Sequence, residues 1–118
     1  MGKRHPAYLS DNRIYSCSTC HSHLLSHHSV ISRAFQGRHG AAYLVSHIIN
    51  VTLGTKEERM LLTGMHTVAD ISCSICGTRI GWKYLHAFEK SQKYKESKYI
   101  VEKAKMAKEN ILWDYHLY

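Results

Sequence analysis

All four cysteines of the 118-residue chain fall into two pairs of the same spacing, Cys17-Ser18-Thr19-Cys20 and Cys73-Ser74-Ile75-Cys76. A Cys-x-x-Cys turn brings two sulfurs within reach of one metal ion. Two such turns supply the four thiolates of a closed tetrahedral site, with Zn–S distances of about 2.3 Å. A site of this kind is structural, because four bound thiolates leave no coordination position for water or substrate. Iron is the other metal that four thiolates accommodate. A redox dithiol accounts for one pair but not for both. The N-terminal Met1-Gly2-Lys3-Arg4-His5-Pro6 lacks the apolar run of a secretory signal, so thiols are expected to stay reduced and disulfides to be rare.

The pairs are 52 residues apart, far more than the roughly 15–20 of a compact zinc ribbon, so one metal is expected to clasp a sizeable domain. A chain of 118 residues suits a single domain that a metal clamp helps to stabilise. No run approaches the roughly 18 apolar residues of a membrane span, and Pro6 breaks the myristoylation pattern, so no membrane association is expected. The formal charge of +7, with ten histidines, is compatible with an acidic partner or with nucleic acid. Part of that excess, at Arg79 and Lys83, is expected to offset the local charge of four thiolates on a divalent ion.

These features must be positioned mainly by strands. His47 to Leu53 places Ile49, Val51 and Leu53 on one face, and Gly54-Thr55-Lys56 offers a turn. Ser29 to Phe35, Ala41 to Val45, Arg59 to Thr63, Thr67 to Ser72 and Ile80 to Leu85 share strand composition, with breaks at Gly37, Gly40, Gly54, Gly64 and Gly77. The polar run Glu89 to Glu96 reads as a solvated loop, as does the cluster His21, His23, His27 and His28. Beyond it, Ile100, Ala104, Ala107 and Ile111 recur at helical spacing, while Tyr99-Ile100-Val101 suits a strand. The expectation is a strand near Lys98 to Lys103, then a helical or frayed tail whose Trp113, Tyr115 and Tyr118 dock on the domain or on a partner.

Several longer stretches resemble one family. Phe35-Gln36-Gly37-Arg38-His39-Gly40-Ala41-Ala42-Tyr43-Leu44, Leu61-Leu62-Thr63-Gly64-Met65-His66-Thr67-Val68-Ala69-Asp70-Ile71, Gly81-Trp82-Lys83-Tyr84 and Gln92-Lys93-Tyr94-Lys95-Glu96-Ser97-Lys98-Tyr99-Ile100-Val101-Glu102 occur in the order found in Yippee-like proteins. The resemblance covers residues 13–103, more loosely to Trp113. Ser97 stands where the family has glycine, which puts the local turn in question because serine resists positive φ. The resemblance implies a mainly β fold, two antiparallel sheets in a β-tent pinned by one structural zinc on Cys17, Cys20, Cys73 and Cys76. It also favours a final strand over the helical stripe near residue 100. The expected organisation is an N-terminal extension over 1–12, the zinc-binding domain over 13–104 and a tail over 105–118.

Three classes of function are then in play. An enzyme is not expected: a sulfoxide reductase of this fold needs a thiol beyond the metal ligands, and the chain has no fifth cysteine. The related domain of cereblon holds a cyclic imide in an aromatic cage, and here Tyr43, His66 and Tyr84 could line a smaller pocket beside Trp82 for a small ligand or modified peptide. The resemblance most favours an adaptor, in nucleus and cytoplasm, docked on a scaffold subunit of a GID/CTLH-type ubiquitin ligase. It is not a RING ligase, which needs eight ligands for two zincs. Nucleic-acid binding is the weaker rival, because Glu96 and Glu102 interrupt the lysines between Lys90 and Lys108.

Overall fold

In the computed structural model, which describes residues 6–109, strands dominate, joined by turns, loops and short 3-10 segments. The strands are β1 (Ile14–Cys17), β2 (His23–Ser26), β3 (Val30–Gly37), β4 (Gly40–Val45), β5 (Val51–Leu61), β6 (Gly64–Cys73), β7 (Arg79–Ala87), β8 (Tyr99–Glu102) and β9 (Met106–Lys108). They form two antiparallel sheets, one in the order β2-β1-β9 and the other in the order β3-β4-β8-β7-β6-β5. The expected mainly β, two-sheet architecture is therefore present.

Side-chain alternation gives the large sheet two faces. Tyr43 and Gly81 both lie opposite Val101, whereas Leu44 and Trp82 both lie opposite Ile100. One core cluster accordingly joins Tyr43, Val45, Ile71, Ile80 and Val101 to Tyr15, Cys17, Leu24 and Leu25 of the small sheet. The other groups Ala42, Leu44, Val68, Trp82, Tyr84 and Ile100, with Phe35 and Leu61 packed against them. The close approach of β7 to β8 requires glycine at position 81, because a Cβ there would sit 1.8 Å from the Ile100 carbonyl oxygen.

Three expectations change. The two strands read on either side of Gly54-Thr55-Lys56 are one, β5, and the glycine marks a register shift between Leu53 and Lys56 instead of a turn. The hairpin turns later, at Leu62 and Thr63, and the preceding His47 to Asn50 lie outside the strand. The run Glu89 to Glu96 contains a 3-10 turn over Lys90–Lys95 whose last residue is buried. Met106 to Lys108, read as helical or frayed, pairs with β1, because a free edge beside Tyr15 to Cys17 offers backbone hydrogen bonds that outweigh a helical stripe. Ile111, Trp113, Tyr115 and Tyr118 lie outside the described residues.

The N-terminal segment is tied down by short polar contacts. Asn50 accepts from Ala7 N at 2.8 Å and donates to the Ala7 and His23 carbonyls at 2.9 and 2.7 Å. His23 Nδ1 accepts from Leu9 N at 3.0 Å. Asp11 accepts from Ser26 and faces His27 and His28 at 3.9 and 3.6 Å, so these histidines anchor a strap and are not a bare solvated loop.

Ser97 adopts φ 70°, the left-handed conformation that the resemblance implied for this position, and its N–H donates to the Tyr84 carbonyl at 2.9 Å. Serine pays for that conformation where glycine does not. Ser97→Gly is expected to stabilise the fold by about 1 kcal/mol, seen as a higher urea midpoint with an unchanged m value; no gain would mean the turn carries no strain.

Candidate metal centre and aromatic pocket

Each cysteine pair closes a tight turn at the end of a strand. Cys17 ends β1 and Cys73 ends β6, so one pair belongs to each sheet. His21 N–H donates to the Cys17 carbonyl and Gly77 N–H to the Cys73 carbonyl, both at 2.8 Å, and both residues take positive φ, 64° and 83°. The two turns are thus built alike although one uses histidine and the other glycine.

The four sulfurs lie within 4.8 Å of one another. Across the sheets, Cys17 Sγ is 3.6 Å from Cys76 Sγ and Cys20 Sγ is 3.5 Å from Cys73 Sγ. A tetrahedral site with metal–sulfur bonds of about 2.3 Å needs edges of about 3.8 Å, so the residues fit such an ion. Burial pushes the Cys73 thiol up to about 12, whereas at Cys76 the Thr78 hydroxyl and N–H outweigh burial and bring it down to about 6. Packed without a cation, four sulfurs so close cannot all be thiolates; a divalent ion reverses that by favouring every charged form. Thr78 Oγ1 is 3.1 Å from Cys76 Sγ and 3.0 Å from Thr19 Oγ1, a second link between the turns. Arg79 and Lys83 do not serve the thiolates: Arg79 binds two carboxylates and Lys83 stands 5.3 Å over the Tyr99 ring.

The opposite face of the large sheet opens into a cavity of about 700 Å³. Trp82 and Tyr84 line it, with Phe35 from β3, Leu62 from the β5–β6 turn, and Tyr94 and Lys95 from the 3-10 turn. Tyr43 and His66, expected beside Trp82, do not. The pleat turns Tyr43 to the other face, where its ring packs edge-on to Tyr15 at 5.8 Å with the Arg33 guanidinium 5.4 Å away. His66 is fully buried beside Tyr84, ring centroids 5.2 Å apart, with Nδ1 2.9 Å from the Gly64 carbonyl oxygen. Burial also pushes the Tyr84 hydroxyl up to about 12.

Lys95 is 3% exposed, and its Nζ donates to Thr63 Oγ1 at 2.9 Å. The same ammonium lies 5.3–5.9 Å from the centroids of Phe35, Tyr84 and Tyr94. Reading Glu89 to Glu96 by its polarity concealed this residue, although Tyr94-Lys95-Glu96 stood within a recognised motif. Glu102 went unnoticed for the same reason. It is fully buried, accepting from Arg79 Nη1 at 3.1 Å and the Arg38 backbone N–H at 2.9 Å, with His39 Nδ1 2.9 Å from its other oxygen. A Cβ on Gly37 would lie 2.6 Å from Glu102 Cγ, so the β3–β4 turn closes over this carboxylate only because position 37 is glycine. Arg79 also donates to Asp70 at 3.2 Å, and Asp70 accepts from Arg59 at 3.3 Å.

A two-sheet domain clasped by two Cys-x-x-Cys turns, with its second face hollowed into an aromatic pocket, is a zinc-binding module of the tent type. The chain belongs to the Yippee/Mis18 family: the family model described as Yippee zinc-binding/DNA-binding/Mis18, centromere assembly, matches residues 13–113. A yippee-like protein of Arabidopsis thaliana is 58% identical over 98 residues, covering 83% of this chain and 92% of its own. Human protein yippee-like 3 is 55% identical over 113 residues, covering 95% of this chain and 94% of its own. The crystal structure of the Mis18 'Yippee-like' domain shares the fold at 14% identity, with a TM-score of 0.66 over 84% of this chain and 96% of that one.

Burial alone would raise the Glu102 carboxyl, but His39, Arg79 and the Arg38 N–H outweigh it and hold the group below its ordinary 4.5. Its contribution to stability is therefore complete above about pH 4.5 and is lost as the pH falls through the lower folded value. Arg79→Leu, which strands the carboxylate, is expected to cost about 3 kcal/mol at neutral pH, and Glu102→Gln to flatten the acid limb of a stability–pH curve measured in urea. An unchanged acid limb in Glu102→Gln would place the acid sensitivity elsewhere.

Proposed function

We propose that the chain is a non-catalytic protein-binding module, pinned by one structural zinc, whose partner-binding surface is the pocket on the outer face of the six-stranded sheet. The observation that carries this reading is the pocket's construction. Its floor is a rigid, buried pair, Trp82 and Tyr84, yet at its rim Leu62 is fully exposed and Tyr94 more than half exposed. Apolar groups held in water beside a preformed aromatic cavity suit a partner that inserts a side chain. Cys17, Cys20, Cys73 and Cys76 would hold the ion, whose role is to join the sheets. With all four thiols gathered at that centre, none is placed in the pocket as a nucleophile.

The partner we assign is the scaffold subunit of a GID/CTLH-type ubiquitin ligase, in nucleus and cytoplasm, on the strength of the family resemblance. Nucleic acid suits the surface less well. Of the lysines between Lys90 and Lys108, Lys95 is buried, Lys93 pairs with Glu96 at 3.2 Å, and Lys98 donates to the Tyr94 carbonyl at 2.7 Å, so no free phosphate-binding stripe is formed by these three.

Metal analysis of the purified protein is expected to find one zinc per chain, and Cys73→Ser to lose both the metal and cooperative thermal unfolding. A Cys73→Ser protein that keeps both would refute the shared site. For the surface, affinity capture from nuclear and cytoplasmic extracts followed by mass spectrometry is expected to recover ligase subunits, about tenfold fewer with Leu62→Glu. Recovery of no ligase subunit overturns the assigned partner; equal recovery by wild type and variant overturns the assigned surface.

A further inference from the structure

The pocket holds polar groups that an apolar insert alone would leave unmet. Four cationic residues line it, Arg38, Arg59, Arg79 and Lys95, and among the described residues no carboxylate does. The acids closest to these cations are already engaged. Glu57 and Asp70 pair with Arg59, and Asp70 and Glu102 pair with Arg79. Lys95 has only the Thr63 hydroxyl and the faces of three rings, with no acid facing it among the described residues. An ammonium has three N–H donors, so two of these lack a conventional acceptor in the protein. The Arg38 guanidinium has no acidic partner among the described residues either, since only its backbone N–H reaches Glu102.

A second kind of group points the same way. Trp82 is 5% exposed, lines the pocket, and its buried indole Nε1–H has no well-formed hydrogen bond, the neighbouring Tyr84 hydroxyl offering only a weak one. A buried donor left unmade is costly, by about 1–3 kcal/mol, and such groups in native proteins call for an explanation. The groups at Lys95, Arg38 and Trp82 are all donors, two of them cationic, and an acceptor carrying negative charge would suit them together.

We infer that the pocket binds a carboxylate carried next to an aromatic ring, on an acidic segment of the protein partner. The inference rests on the protein-binding reading above and specifies what the partner must present. Charge favours a single carboxylate over a phosphate chain. Glu57, Asp70 and Glu102 pair with Arg59 and Arg79, so the four cations of the lining exceed the neighbouring acids by one charge, and Lys95 and Arg38 are the two with no side-chain acid partner among the described residues. Size favours an accompanying ring, because about 700 Å³ exceeds what one carboxylate fills and Phe35, Trp82, Tyr84 and Tyr94 line the remainder. Burial holds the Lys95 ammonium below its ordinary range, and a bound carboxylate would further favour the charged form.

Three small probes of equal size separate charge from shape: indoleacetate, indoleacetamide and tryptamine, titrated into the full chain and followed by proton–nitrogen NMR at the Trp82 indole signal. Indoleacetate is expected to bind about tenfold more tightly than indoleacetamide and to move the Trp82 indole proton downfield, while tryptamine binds least. Arg38→Gln, at an exposed position, is expected to narrow the preference for acetate over amide without weakening amide binding, and Lys95→Gln to do the same if it folds. Equal binding of acetate and amide, tighter binding of tryptamine, or no probe moving Trp82 overturns the inference. Adenosine monophosphate serves as a fourth probe, and its outcompeting indoleacetate would overturn the carboxylate in favour of a phosphate ligand. Binding of acetate and amide alike leaves the pocket as a protein-binding surface. Partner capture indifferent to Leu62→Glu would remove that surface while the probe preference stood.

Discussion

The four cysteines sit where the two sheets would otherwise come apart. Their pairs end β1 and β6, strands of different sheets that are also linked by a seam of apolar side chains around Tyr15, Leu24, Leu25, Ile71 and Ile80 and by the Thr78–Thr19 contact. The three-stranded sheet has strands of only three or four residues, too short to hold their geometry without support. A metal bound by both cysteine pairs would supply that support and fix the orientation of the larger sheet relative to the smaller.

Strand pleating then separates two tasks. Residues of one parity on β4, β7 and β8 face the seam, and those of the other parity face the cavity. The cysteine clasp and the pocket therefore share backbones but few side chains. Glu102 and Arg79 are the exception. Placed on neighbouring strands and linked to Asp70 and the β3–β4 turn, they convert buried charge into a fixed pocket wall. A carboxylate so enclosed is tolerable because three donors satisfy it, and removing one leaves the others insufficient.

The cysteine pairs, their shared metal geometry and most strand positions were legible from residue type and spacing, since these depend on local chemistry. Trp82 and Tyr84 were also placed together correctly, two residues apart on one strand face. Tyr43 was misplaced because its face is set by pairing with Val101, a register invisible without the partner strand. Lys95 was hidden because its burial is created by Phe35 and Tyr84, some 60 and 11 residues away in sequence, and charge alone reads as solvated. Gly54 misled for a related reason: a glycine inside a strand and a glycine at a turn look the same until the partner strand shows which bonds are kept.

The irregular edges of the large sheet limit how any partner can engage it. β5 is one edge, interrupted at Leu53 to Lys56 and carrying Lys56, Glu57 and Glu58 in a row; β3 is the other, with register shifts on either side of Ser32. Broken pairing and adjacent charges deny an incoming chain a continuous ladder to extend. Recognition by strand addition, which reads main chain and tolerates many sequences, is thereby disfavoured at both borders. On the binding role proposed above, what remains is discrimination by side chains on a closed face, and with it a dependence of specificity on very few positions.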